Sequence, residues 1–150
     1  MTVVEAVRAR LLSLTPVTSR VSTRIYPVVI PQSNNLWPAI KLQQIGKVEF
    51  MHLRGSSKVF RARIQVDYVV DVDTADDWYA DAHAGSDAAH GDGQFESATG
   101  LCGWRGDIGS PAFRITGIIP EAAGPREVRE DDGDQRRFRV HRDYLTWFIE

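Results

Sequence analysis

The sequence predicts an α+β domain: a mostly antiparallel sheet with one main amphipathic helix packed on it and a short N-terminal helix. Two patterns carry this expectation. Between Phe60 and Asp71, Phe60, Ala62, Ile64, Val66, Tyr68 and Val70 alternate with Arg61, Arg63, Gln65, Asp67 and Asp71. Alternate side chains of a strand point to opposite faces, so this is a long strand with one dry side, which favours antiparallel pairing. Downstream, Ala75, Trp78, Tyr79, Ala82 and Ala89 form the apolar stripe of a helix that could cover that dry side.

The remaining elements follow in chain order. Val4, Val7, Leu11 and Leu12 fall at helical spacing with Arg8 and Arg10 opposite, which predicts a helix over 4–12 ending before Pro16. Pro27, Pro31, Pro38 and Asn34-Asn35 exclude a regular central strand and predict an extended edge segment followed by an exposed loop. Ala39–Gln44 alternates as a strand, Lys47–Leu53 reads as its partner, and Arg54–Lys58 as a polar turn.

Thr74 with Asp77 three residues on has the form of a helix start, and Asp76, Asp77 and Asp81 suit its positive end. Gly85 weakens this helix and Gly91-Asp-Gly93 should end it. Residues 91–110 are rich in glycine, with room for a strand over 94–104. Ala112–Ile119 reads as a strand. Residues 120–133 read as a polar loop or hairpin with turns at Gly124-Pro125 and Asp131-Asp-Gly133. Arg136–Ile149 closes the chain as a strand, with Phe138, Val140, Tyr144 and Phe148 on one parity. No repeat or linker divides residues 1–150, so a single domain is expected.

Composition narrows the function classes. The single cysteine, Cys102, excludes an intramolecular disulfide. Glu5, Arg8 and Arg10 interrupt any N-terminal apolar run, so a cytoplasmic setting, or a particle assembled there, is expected, with no membrane partner. The net charge of −2 argues against a dedicated nucleic-acid binder. That charge is unevenly spread: residues 1–70 carry +7, residues 71–107 carry −8 and residues 108–150 carry −1. Such blocks pair either within one fold or between neighbouring subunits.

Chemistry-bearing patterns are sparse. His83, Asp87 and His90 stand at i, i+4 and i+7 of the expected helix, a spacing that presents three ligands to a zinc-like ion, or simply forms a polar flank. Cys102 in Gly100-Leu-Cys-Gly-Trp104 lacks the second glycine of a nucleophile elbow, and reads as a packing residue or as one half of a Cys–His pair. Gly91-Asp-Gly93 begins a dinucleotide pattern, but Glu96 holds the third glycine's place. Arg105-Gly-Asp107 spells an adhesion tripeptide and reads as a loop. Arg61, Arg63, Arg136, Arg137 and Arg139 could face nucleic acid, but the aromatic residues mostly fall on the other parity, so a solvated or subunit-facing surface is expected. Neither a catalytic residue nor a cofactor or metal site is assigned, and a non-enzymatic role is expected.

Taken in order, these pieces resemble the tail completion (tail terminator) proteins of long-tailed bacteriophages. The matching residues are the short N-terminal helix, Arg24-Ile-Tyr-Pro, Pro31-Gln32, Trp37-Pro-Ala-Ile40, the strand Phe60–Asp67, the helix from Thr74, and Arg142-Asp-Tyr-Leu-Thr-Trp-Phe148. The longer stretch at 91–110 departs from the family. The resemblance implies a homohexameric ring in the virion, at the head-proximal end of the tail. Its implied partners are copies of itself, the major tail tube protein and the head–tail connector or neck protein. DNA would pass through the lumen without specific binding. The alternatives are a neck or head-closure protein and, in another class, a small metal-dependent or cysteine enzyme. Candidate subunit or axial contacts are Tyr26, Trp37, Arg54, Arg61, Arg63, Asp67, Asp77, Asp81, Arg136, Arg139 and Arg142.

Overall fold

The computed structural model describes residues 1–31, 36–95, 97–132 and 135–150. Gln32, Asn34 and Asn35 of the expected loop, Glu96, and Gly133 of the expected turn lie outside the described residues. Three helices and seven strands are described: α1 Val3–Leu12, α2 Thr15–Val21, β1 Ile25–Pro27, β2 Ala39–His52, β3 Gly55–Asp71, α3 Trp78–His90, β4 Gly106–Ile108, β5 Phe113–Pro120, β6 Arg126–Asp132 and β7 Gln135–Ile149. The strands form one mixed sheet in the order β1-β2-β3-β7-β5-β4. β1 runs parallel to β2, and the other pairings are antiparallel.

The sheet forks at β7. Its one edge pairs with β3 from Arg137 to Ile149. Its other edge is shared: β6 takes Gln135–His141 and β5 takes Tyr144–Ile149. The predicted one-sided strand is β3, with Phe60, Ala62, Ile64, Val66, Tyr68 and Val70 all buried. Opposite them on β7 stand Phe148, Thr146, Tyr144, Arg142, Val140 and Phe138. Helices cover this face. α1 lies against β1, β2 and β4, α3 against β3 and β7, and α2 packs on α1 and α3.

Several elements depart from the sequence pattern. Residues 39–52 form one strand, not two, because an irregularity between Gln44 and Gly46 absorbs the break in alternation, and the turn is Leu53-Arg54 alone, since residues 55–58 already belong to β3 and not to the expected polar turn. Pro16 lies beyond the end of α1, as expected, and also opens a second helix, α2, at a first-turn position where its missing N–H costs nothing. The buried stripe of α1 is Val3, Ala6, Val7 and Leu11, one step round from the predicted one. Arg8 and Arg10 are not on a solvent face: Arg8 Nε donates to Ile25 O at 2.8 Å and Arg10 donates to Ala98 O at 2.9 Å.

The capping threonine is Thr2, not Thr74. Thr2 accepts from Glu5 N while the Glu5 carboxylate takes Thr2 N, a reciprocal pair. α3 starts later, after Asp77, with no side-chain cap. No strand forms among the described residues of 94–104. There the backbone instead closes the end of α3: Leu101 N and Cys102 N donate to Ala89 O and His90 O. The chain crosses itself at Gly91 and Gly100, so closely that a Cβ on either would strike the other's backbone. Arg10 also holds this loop, through Ala98 O and Gly100 O, with its guanidinium 4.9 Å from the Trp104 ring centroid.

Gly85 has a packing reason. A Cβ there would fall inside the Tyr68 ring, so the glycine lets the phenol lie against the helix backbone. Burial pushes the Tyr68 hydroxyl up to about 12, against the pull of nearby Arg20. Alanine ordinarily favours a helix over glycine by about 1 kcal/mol. Here Gly85→Ala is expected to destabilise by about 1–3 kcal/mol instead, as overpacking does. Urea unfolding measures it, and a Tyr68→Leu background should remove most of the penalty.

Candidate interaction surface

The sheet's second face carries no helix. By register it presents Lys41, Gln43, Val48 and Phe50 of β2, Arg61, Arg63, Gln65, Asp67 and Val69 of β3, and Arg139, His141, Asp143, Leu145 and Trp147 of β7. It divides into an ionic half and an aromatic half.

The ionic half is layered. Asp67 is fully buried at the sheet surface, and the amide of Gln65 donates to its two oxygens at 3.0 and 3.1 Å. Lys41 Nζ and Arg139 Nη1 stand 3.5 and 3.4 Å from Asp67 Oδ2. Arg139 also reaches Glu130 at 3.1 Å. Beside this group, Arg63 donates twice to Asp143 Oδ2, at 2.5 and 3.1 Å, and lies 4.0 Å from Glu121. The Asp143 hydrogen bond holds the Arg63 guanidinium above its ordinary pKa. Carboxylates therefore sit low, and the longer cationic side chains arch over them.

The aromatic half is built on Trp147, whose ring stacks on Phe50 with centroids 4.9 Å apart. Arg61 lies 5.5 Å from the Trp147 ring centroid and 5.9 Å from that of Phe50. Leu145, Ile119 and Phe95 extend the apolar ground, with Ile119 and Phe95 exposed. Sequence parity placed the aromatics opposite the arginines. Phe138, Tyr144 and Phe148 do lie there, but Trp147 and Phe50 share the face of Arg61. The missed signal was the second parity of the last strand, Leu145 and Trp147.

The candidate contact residues separate accordingly. Arg61, Arg63, Asp67 and Arg139 share the open face, with Tyr26 half-buried opposite Lys41 in register. Asp67 has no exposed surface, so any contact there is made by the side chains above it. Trp37 lies under the Arg137 guanidinium, 4.3 Å from its carbon. Arg54 is exposed at the β2–β3 turn. Arg136 and Arg142 project to the helix-covered face, where they pair with Asp73 and Asp87 at 2.5 Å each. Asp77 and Asp81 are exposed at the start of α3, with no ion pair among the described residues.

His83, Asp87 and His90 each have a separate partner. His83 Nε2 lies 2.7 Å from Glu127 Oε1, Asp87 holds Arg142, and His90 Nδ1 lies 2.9 Å from Tyr144 Oη. Among the described residues no three ligand-type side chains gather. Burial pushes the Cys102 thiol up, away from the thiolate a nucleophile needs. Asp107 of the Arg-Gly-Asp tripeptide is held by two hydrogen bonds from Arg114, at 2.8 and 3.0 Å. No described helix is long and apolar enough to cross a membrane.

The charged blocks do not neutralise one another. Among the described residues, no ion pair joins a base of 1–70 to an acid of 71–107. Asp73, Asp87 and Asp107 pair with Arg136, Arg142 and Arg114, whereas Lys41, Lys47 and Arg63 pair with Asp67, Glu150, Asp143 and Glu121. Among the described residues without an ion-pair partner are Arg54, Lys58, Arg61 and Arg105 on one side and Asp71, Asp76, Asp77 and Asp81 on the other, with Arg20, also unpaired, lining the same cavity as Asp71 and Asp81. No protein-family model matches the chain, and no curated protein sequence matches it.

Two measurements check this account. Asp67→Ala strands Lys41 and Arg139 over a buried gap and is expected to cost about 3 kcal/mol in urea unfolding. Glu127 accepts from Tyr79 Oη at 2.5 Å as well as facing His83, and these bonds hold its carboxyl below the usual glutamate range. A depressed folded-state pKa adds stability above the ordinary value and loses it as pH falls through the lower one. Glu127→Gln should therefore flatten the acid side of the stability–pH profile, while leaving the alkaline side less changed.

Proposed function

We propose that the chain is a structural virion protein that closes the head-proximal end of a bacteriophage tail tube as a homohexameric ring. In that role it stops tube growth and forms the tail-side surface for head–tail joining. The observation that carries the reading is the pair of uncompensated charge sets, Arg54, Arg61 and Arg105 against Asp76, Asp77 and Asp81. A ring needs two different patches on each chain that fit one another head to tail. Opposite charges left unspent within the fold supply such a pair.

The order of elements supports it further. α1, the short edge strand Ile25–Pro27, the long strand through Phe60–Asp67 and the closing strand through Arg142–Phe148 follow one another in the chain order on which the resemblance rests, although the helix after the long strand starts at Trp78 and not at Thr74. The sheet also keeps unpaired strand edge. β1 covers only Ile40–Leu42 of β2, and the exposed Ile45, Val48, Met51 and Leu53 lie beyond it. Contacts with the tube protein and the connector belong to such edges and to the loops at either end of the sheet.

Light scattering of the purified chain at low ionic strength is expected to show a particle of about six chain masses. Raising salt to roughly 1 M, where the Debye length falls to about 3 Å, should shift the population toward single chains. A chain that stays single at every salt concentration, and that does not sediment with tail tubes, would overturn the proposal. Co-sedimentation with tubes from head-defective particles separates a tail ring from a neck protein.

A further inference from the structure

The aromatic half of the open face contains a cleft of about 270 Å³, whose walls include Phe95, Ile119, Trp147 and Arg105. Gly117 stands directly opposite Trp147 in the β5–β7 register, and a Cβ there would meet nothing within 4 Å. The irregularity between Ile115 and Gly117 opens this space above the indole. Trp147 is itself held by its stack on Phe50. The cleft is thus an apolar seat with Arg105 in its wall and Arg61 across Trp147 on β3, and neither guanidinium has a carboxylate partner among the described residues.

The matching chemistry lies elsewhere on the same chain. The start of α3 exposes Asp76, Asp77 and Asp81 around Tyr79, which is 49% exposed. Those carboxylates have no ion-pair partner among the described residues. This region sits on the helix-covered face and at the far end of β7: Trp78 and Tyr79 pack on Phe138, 5.1 and 5.5 Å between centroids. Phe138 and Trp147 are nine positions apart along β7, about 30 Å of strand, and point to opposite faces. A chain cannot bring its own α3 start to its own cleft, whereas a neighbour can.

We infer that the Phe95–Ile119–Trp147 cleft receives the acidic start of α3 from a second copy of this chain, with Arg61 and Arg105 facing the neighbour's Asp76, Asp77 and Asp81. This rests on the ring reading above and names the two surfaces that meet in it. The contact joins unlike patches, so each copy offers one cleft and one α3 start, and repetition closes a ring. An aromatic anchor flanked by arginines is also what concentrates binding energy at protein interfaces. Arginines beside aromatics would suit a single-stranded nucleic acid too, but Phe50 and Arg61 already occupy the Trp147 ring. The chain's own unpaired carboxylates favour the copy.

The test uses the full chain. Arg105→Glu with Arg61→Glu should raise the concentration for half-assembly at least about tenfold, and so should Asp77→Arg with Asp81→Arg. Joining all four changes in one chain should restore assembly, because every contact then carries the swapped charges. Gly117→Leu fills the open space and should block assembly while leaving the urea midpoint of unfolding unchanged. In a Cys102→Ser background, Ile119→Cys with Tyr79→Cys should give a ladder of disulfide-linked multimers on oxidation.

If the parent assembles but the charge-reversed variants assemble equally well, or the swap fails to restore them, this interface is wrong and the ring reading stands. If the parent is single at all concentrations and no ladder forms, this interface falls, and the ring reading falls with it when the chain also fails to sediment with tail tubes. Binding of a labelled oligonucleotide that is lost in Arg61→Glu, with no ladder, would instead assign the cleft to nucleic acid.

Discussion

Thirteen register pairs join β3 to β7, from Val59 against Ile149 to Asp71 against Arg137, and the fold is organised around that ladder. Antiparallel pairing places opposite residues on the same face. Each pair therefore commits two side chains at once, either to the helices or to the open side. Phe60 with Phe148, Ile64 with Tyr144 and Val70 with Phe138 build the core. Arg61 with Trp147, Gln65 with Asp143 and Asp67 with His141 build the open face. A slip of one residue on β7 would put Tyr144 into solvent and Asp143 into the core, and a slip on β3 would do the same to Tyr68 and Asp67, so the register is held from both sides.

The elements legible in the sequence were those whose periodicity ran unbroken. Phe60–Asp71 alternates over nearly its whole length, and its strand, its dry face and its helix cover follow from that alone. The second half of β2 was misjudged because one irregular residue reverses the parity, so a single strand looked like two. α2 was hidden because Pro16 marks a helix start as well as a stop, and seven residues are too few to show a period. Gly85 looked like a weakness because its cause, the Tyr68 ring, lies on another element.

The candidate surface was less legible than the fold. Composition showed that charge is segregated along the chain, but only the three-dimensional pairing shows which charges remain unspent. Arg63, Arg139, Arg136 and Arg142 resembled surface contacts in sequence. Each in fact holds a carboxylate of its own chain, at distances between 2.5 and 3.4 Å. Arg61 differs because it lies on rings, not on an acid. Glu127 carried no local signal, since its partners Tyr79 and His83 are more than forty positions away. Pair identities of that kind are set by folding, not by spacing.

The fork at β7 has a mechanical consequence. Below His141 the strand leans on β6 and above Arg142 on β5, so no single neighbour on that edge spans the junction. The twist natural to each pair of strands accumulates separately on the two tines. The sheet is therefore divided on that edge alone, while the β3 ladder runs across the junction without a register shift.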